Sequence, residues 1–251
     1  DEIQILPAAI GAKPGSAKGR ITPLTITPPK ESFEEALGLL NNSKKPTIVV
    51  GHGARFHMNA IIELAEKLNC PVLTTFKGKG QIPDHHPLGC GVLGRSGTPI
   101  ASWFMNEADL LLVIGASFSK HTGLTDKIPT IQIDYDPMAL GKFHEVDVPV
   151  WGEISVTIGM LNDQISKLDN KQDSRDEIVN RWDIWKAEKQ KRLLEEGNGV
   201  SSVAVFDALN QTAPDNAVMC ADVGNNDYSV GRYFESKQHS FLMSGYLGSI
   251  G

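Results

Sequence analysis

Cysteine is scarce in this chain. Its 251 residues carry three, Cys70, Cys90 and Cys220. They are scattered, odd in number and form no CxxC pair, which excludes a disulfide framework and a cysteine-built zinc site. Long apolar runs are also missing: none reaches the ~18 residues of a transmembrane helix, and no signal-peptide pattern opens the sequence. A reducing cytoplasm is the expected setting. Positive charge is in deficit, with 24 Lys and Arg against 30 Asp and Glu for a formal net charge of -6, which argues against a general nucleic-acid surface. Internal repeats and low-complexity tracts are absent. What is present, 41% hydrophobic and 22% charged residues, is the composition of a globular protein with a core.

Residues 1–31 read as a connector, broken by Pro7, Gly11, Pro14, Gly15, Pro23, Pro28 and Pro29. From Ser32 the pattern becomes regular. Phe33, Ala36, Leu37 and Leu40 share one face of a helix, and Ser32 with Glu35 has capping-box spacing. A strand at 47–50, a helix at 59–68, a strand at 71–76 and a helix at 98–106 follow. Next come strands at 110–115 and 130–134, a short helix near Met138 to Gly141, a strand at 146–151 and a helix at 153–167. The run 110–114, Leu-Leu-Leu-Val-Ile, is apolar throughout, as in a strand covered on both faces. This alternation predicts an α/β fold with a doubly wound parallel sheet over 32–168. Residues 169–196 are charged, with Ile178, Trp182, Trp185 and Leu193 as apolar points, and read as a solvated linker helix packed by its tryptophans. A second α/β unit begins over 197–251, with a helix at 201–212, a strand at 217–222, a helix at 227–234 and a strand at 240–243.

In open parallel sheets, ligands bind beyond the carboxyl ends of the strands. That rule selects the loops 51–55, 75–80, 115–122 and 134–137, and the loop 91–97 adds Arg95. Gly51 and Gly53 would let backbone amides approach a phosphate, which Arg55, Lys77, Lys79 and Arg95 would neutralise. Asp134 or Asp136 would take hydrogen bonds from a ribose. Against this stand plainer readings. Gly51-x-Gly53 lacks the third glycine of the dinucleotide fingerprint and also serves a tight turn. Lys77 and Lys79 taken singly read as solvated, and Asp136-Pro137 is also a turn signal. His85-His86 lacks a third ligand and reads as loop. In the second unit, Gly224, Asn225 and Asn226 follow a strand and open a helix, where turn chemistry and diphosphate binding use the same residues.

Taken in order, Gly-His-Gly-Ala-Arg at 51–55, Thr-Thr-Phe-Lys-Gly-Lys-Gly at 74–80, Ala-Asp-Leu-Leu-Leu-Val-Ile-Gly at 108–115 and Ile-Gln-Ile-Asp-Tyr-Asp-Pro-Met-Ala-Leu-Gly at 131–141 precede Asp-Val-Gly at 222–224. The closing Ser-Gly-Tyr-Leu-Gly-Ser-Ile-Gly at 244–251 completes the series. The whole resembles the thiamine-diphosphate enzymes of the pyruvate oxidase and acetohydroxyacid synthase group.

The resemblance implies a central domain over 32–168 and the start of a diphosphate-binding domain over 197–251. Residues 1–31 would leave a pyrimidine-binding domain, so the chain is expected to be an internal piece of a larger protein. It further implies that Gly248, beside Ser249, offers its carbonyl to the aminopyrimidine, that Ile250 bends the cofactor, and that Gly224, Asn225 and Asn226 hold its diphosphate. FAD would lie against Gly51, Gly53, Ala54 and Arg55, Thr75, Phe76 and Lys77, Gly94, Arg95 and Ser96, Ser117 and Phe118, and Asp134 and Asp136. The implied chemistry is decarboxylation of a 2-oxo acid such as pyruvate, first of all in a pyruvate oxidase or dehydrogenase type with FAD. The alternatives are an acetolactate synthase-like carboligase or a flavin-free decarboxylase. Magnesium, with ligands outside this chain, and a dimer or tetramer sharing its cofactor sites belong to the same expectation. The catalytic glutamate is likewise expected outside the chain. From another class stands a non-catalytic dinucleotide-binding module, since 32–168 is also similar to NAD-binding domains of the sirtuin and transhydrogenase kind.

Overall fold

The computed structural model describes residues 5–13, 15, 25–117, 121–166, 171–237 and 240–243. Helix α1 (Lys30–Asn42) leads into β1 (Pro46–Val50), and a single 3-10 turn (His52–Ala54) connects β1 to α2 (Met58–Leu68). Then come β2 (Val72–Thr74), a second 3-10 turn (Phe76–Gly78), β3 (Gly89–Val92), α3 (Pro99–Glu107), β4 (Leu110–Ile114), β5 (Thr130–Asp134), β6 (Val148–Trp151) and α4 (Ile154–Gln164). All six strands pair in parallel, in the order β3-β2-β1-β4-β5-β6. This is a doubly wound α/β sheet whose strand order reverses between β1 and β4. Right-handed crossovers in opposite directions put α2 and α3 on opposite faces.

The core explains the apolar runs. Ile48, Val49, Val50, Leu111, Leu112, Val113, Ile114, Ile131 and Ile133 are fully buried, each worth ~1.5–3 kcal/mol on removal from water. Ile61, Leu64 and Leu68 supply the buried stripe of α2. Three local expectations are corrected. Helix α1 starts at Lys30, with Pro29 before it, and Ser32 Oγ donates to Pro29 O at 3.1 Å rather than capping a helix start of its own. The segment 138–141 is a turn, not a helix. Gly89–Val92 is an edge strand where a loop was expected, because its glycines hide any strand propensity.

Beyond the sheet lie α5 (Arg175–Leu193), α6 (Ser202–Thr212), β7 (Met219–Ala221), α7 (Asn225–Tyr233) and β8 (Phe241–Met243), with β7 and β8 parallel. Phe206, Val230, Phe234 and Phe241 form a separate small core, against which Phe76 of the turn after β2 packs. Helix α5 is polar on most of its surface, as read from sequence, but its tryptophans are the fasteners. Trp185 is buried and stacks on Tyr233 at 5.8 Å, and Trp182 Nε1 donates to Gly89 O at 2.9 Å.

At the reversal point the chain is closest to itself. Gly51 N donates to Ile114 O and Gly53 N to Gly115 O, both at 2.9 Å. A Cβ on Gly51 would stand 2.3 Å from Gly115 O, and one on Gly115, whose φ is +62°, would stand 2.5 Å from Ala54 N. Gly115→Ala therefore combines a backbone clash with a left-handed conformation and is expected to cost more than ~2 kcal/mol. Gly38→Ala, in the middle of α1 with open space around its Cα, is expected to add ~0.5–1 kcal/mol. Urea unfolding of the two variants checks both signs.

Candidate functional site

Two places collect the residues singled out by sequence. The first is the crevice at the carboxyl ends of β1, β2, β4 and β5. The amides of Gly51 and Gly53 are spent on Ile114 O and Gly115 O, and Gln81 Nε2 donates to Gly51 O at 2.9 Å. The amide cradle expected of this glycine pair is therefore corrected: the two glycines allow the β1 and β4 loops to touch. The cations stand just outside. Arg55 Nη1 donates to His52 O at 3.1 Å and its guanidinium lies 4.4 Å from the exposed Phe56 ring. Lys77 and Arg95 are exposed. Burial lowers the His52 pKa, and the positive charges of Arg55 and then Lys77 lower it further, against a hydrogen bond to the Lys77 backbone.

Lys79 is a second correction. It is buried, with its side chain 1% exposed, and pairs with Asp84 at 3.0 Å. It is neither solvated nor available to a phosphate. Asp84 Oδ2 also accepts the amide of Ser236 at 2.7 Å, and Asp84 N donates to Ser236 O at 3.0 Å. The pair therefore fastens the second unit to the first. Arg95 has a related part, since its carbonyl accepts from Arg232 of α7 at 2.9 Å.

At the far side of the crevice, Asp134 is half-buried at the end of β5. Burial pushes its carboxyl pKa up and the charge of Asp136 adds to this, while the amides of Asp136 and Tyr135 pull the other way. Asp136 Oδ1 accepts Met138 N at 2.9 Å, the turn alternative named for it. Thr75 is partly buried at the first turn of the 75–80 loop, and Ser117 is partly buried where β4 runs out. Phe118, Gly248, Ser249 and Ile250 lie outside the described residues. His85 Nε2 sits 3.3 Å from Glu235, and His86 Nδ1 accepts Leu88 N at 3.1 Å, so both histidines have loop partners.

Sequence reasoning missed the side chains that set these loops. Gln132, fully buried in β5, donates to Ala116 O and Ala139 O, both at 2.9 Å, and accepts Gly141 N at 2.8 Å. The available signal was a lone amide inside an apolar strand. Glu153 was also missed. It caps α4 through Val156 N at 2.9 Å and reaches His57, which precedes α2, at 3.4 Å.

The second place is a hollow of about 360 Å³ at the end of β7, lined by Cys220, Asp222, Gly224, Asn225, Asn226 and Asp227 among others. Asn225 and Asn226 are exposed and form the first two positions of α7. Their amides precede the first intrahelical bond and would face an anion placed there, with the helix dipole behind them. The gap in the expectation is Asp227, which lies buried on the floor of this hollow.

These features have counterparts in known proteins. A model of the thiamine pyrophosphate enzyme central domain matches residues 33–161. The chain is 31% identical to a putative thiamine pyrophosphate-containing protein, YdaP, of Bacillus subtilis, over 90% of this chain and 39% of that protein. It is also 31% identical to a probable acetolactate synthase large subunit of Methanococcus aeolicus, over 100% of this chain and 45% of that one. With 3D-(3,5/4)-trihydroxycyclohexane-1,2-dione hydrolase of Clostridium perfringens the identity is 28%, over 86% and 38%. The chain thus spans about two fifths of the length of these relatives. No helix among the described residues is long and apolar enough to cross a membrane.

Two measurements test this electrostatic frame. Lys79→Met leaves Asp84 buried without its cation and is expected to cost ~3–5 kcal/mol, with hydrogen exchange accelerated first in α7 and β8. For Glu153, burial opposes the charge, but the Ser155 hydroxyl, the amides of Val156 and Ser155, and His57 outweigh it and hold the carboxyl below the usual range. Its contribution is therefore present above the unfolded glutamate pKa and lost as pH falls through the lower folded one. The stability gap between wild type and Glu153→Gln should be full at pH 7 and close below about pH 4, as read from thermal melts across pH.

Proposed function

The chain belongs to the thiamine pyrophosphate enzyme family, and on that premise we propose that it is part of a carboligase of the acetolactate synthase type. Such an enzyme decarboxylates one 2-oxo acid and joins the remaining fragment to a second carbonyl compound. The observation that carries the reading is the family match over 33–161, together with acetolactate synthase relatives aligned well beyond it into the second unit. The oxidase reading with FAD as electron acceptor has no comparable support among the relatives described above. A dinucleotide-binding module alone would explain 32–168 and leave the hollow beside α7 without a use.

Thiamine diphosphate, when bound, supplies the electron sink that lets a 2-oxo acid lose carbon dioxide. The residues of the hollow fit its diphosphate end, since the amides and carboxamides of Asn225 and Asn226 are donors at a helix N-terminus. We assign Gly224, Asn225 and Asn226 to that end, and Gly248, Ser249 and Ile250 to the aminopyrimidine. The crevice at the β1–β4 reversal fits a dinucleotide such as FAD on different grounds. Arg55, Lys77 and Arg95 would face its phosphates, and the half-buried Asp134 would accept from a ribose hydroxyl. Gly51 and Gly53 would contribute shape, with Thr75, Ser117, Phe118 and Asp136 around them. In the proposed division, 1–31 is a connector, 32–168 the central domain, 169–196 a linker helix and 197–251 the opening of the cofactor-binding domain. Magnesium ligands, the catalytic glutamate and the subunit partner that completes each site would come from elsewhere in the intact assembly.

The test is acetolactate formation from pyruvate by the intact protein. Acetolactate and carbon dioxide are expected together, both dependent on thiamine diphosphate and magnesium. Carbon dioxide coupled instead to reduction of a quinone or oxygen would overturn the carboligase in favour of the oxidase. The double variant Asn225→Ala, Asn226→Ala is expected to raise the thiamine diphosphate requirement ~10–100-fold, the equivalent of one lost hydrogen bond to a charged group.

A further inference from the structure

The hollow beside α7 has a charge problem. Its lining contains two carboxylates, Asp222 and Asp227, and none of the described lining residues is lysine, arginine or histidine. The helix end attracts an anion there, yet the same walls repel one. Asp222 is exposed at the end of β7, and one of its oxygens accepts Val223 N at 2.8 Å. Asp227 is 6% exposed. Its Oδ2 accepts the amide of Gly224 at 3.3 Å, while its Oδ1 is buried with no hydrogen-bond partner among the described residues. A carboxylate in that position holds the Gly224 turn in place through one oxygen and carries uncompensated charge on the other. Such a charge is costly away from water.

Resting on the proposal that this hollow takes a diphosphate, we propose that filling it puts a proton on Asp227. This chain would then bind the diphosphate end of its cofactor together with one hydrogen ion. The carboxyl is already inclined that way: burial first, and the charge of Asp222 after it, raise its pKa against the pull of the Gly224 amide. A fully ionised diphosphate stays net negative even with its magnesium, and so moves the carboxyl further in that direction. Among the described residues, the surroundings offer little to offset this. From β7 the facing charge is Asp222. On α6, which packs against α7, Asp207 is held by Gln211 at 2.7 Å. On α7 itself, Arg232 is turned to Gly97 O and Arg95 O. The β3 strand Gly89–Val92 brings no charged side chain, and Arg95 beyond it is exposed. Asp227 is thus a positioning residue, fixing the Gly224 turn and setting the pH range over which the turn accepts an anion.

Calorimetric titration of the intact protein with thiamine diphosphate, at saturating magnesium and in buffers of different ionisation heat, counts the protons. Wild type is expected to take up close to one proton more than Asp227→Asn within the window between the free and loaded pKa values of Asp227. In that window its affinity should fall about tenfold per pH unit as pH rises, relative to Asp227→Asn. At lower pH the two proteins should bind equally. Asp222→Asn, which keeps an oxygen to accept Val223 N, should move the window to lower pH, and it carries the test should Asp227→Asn fold poorly. Binding with equal proton counts and parallel pH profiles in wild type and both variants overturns the proton linkage while leaving the proposed function standing. Absence of thiamine diphosphate binding in all three overturns both.

Discussion

The close backbone contact between the loop after β1 and the loop after β4 is the constraint on which the rest depends. Gly51, Gly53 and Gly115 meet where the strand order reverses, at separations that leave no room for a Cβ. In a doubly wound sheet this point is a crevice by topology, because the crossovers on its two sides leave in opposite directions. The glycines decide how deep that crevice is. With their amides committed to neighbouring carbonyls, the floor is closed and neutral, and polar recognition passes to its rim. Gln81 and Gln132 complete the floor with further hydrogen bonds to loop carbonyls near the sheet end.

The two candidate anion sites therefore solve the same electrostatic problem in opposite ways. At the crevice, cationic side chains stand around a spent backbone, and burial first, then the charge of Arg55, lowers the His52 pKa. At the hollow, backbone and carboxamide donors at a helix start meet carboxylate walls. The first arrangement relies on arginine and lysine side chains at the rim. The second is closely balanced, so protons and divalent cations have leverage there. The seam between them is itself polar. The buried Lys79–Asp84 pair and the Ser236 backbone link the loop after β2 to the strand-helix unit that carries the hollow. A buried pair of this kind fixes register more than it adds stability, because each charge is costly without the other.

Much of the fold was legible in the sequence. The fully apolar run 110–114 suits a strand covered on both faces, and the stripe Ile61, Leu64, Leu68 suits one face of a helix, as found. The helices expected at 98–106 and 201–212 are present, and the structure shows their starts capped by Thr98 and Ser201, whose side-chain oxygens accept Ala101 N and Ala204 N. The edge strand Gly89–Val92 was not legible, because its pairing is imposed by β2 and by no propensity of its own. In the candidate sites, residue types and their loops could be read, but their roles could not. Lys79 and Lys77 lie two residues apart in one glycine-rich loop. One is buried in an ion pair and the other faces solvent.

The sequence by itself determined the α/β alternation, the strand ends at which ligands gather, and the likeness to thiamine-diphosphate enzymes. Each of these follows from local pattern along the chain. Only the tertiary structure decided which donors are free and which charges are compensated. It gave the Gly51 and Gly53 amides to Ile114 and Gly115, Lys79 to Asp84, and left one oxygen of Asp227 without a partner among the described residues. Those outcomes depend on what packs opposite each group, and residues far apart in sequence become opposites only when the sheet and the second unit close on one another.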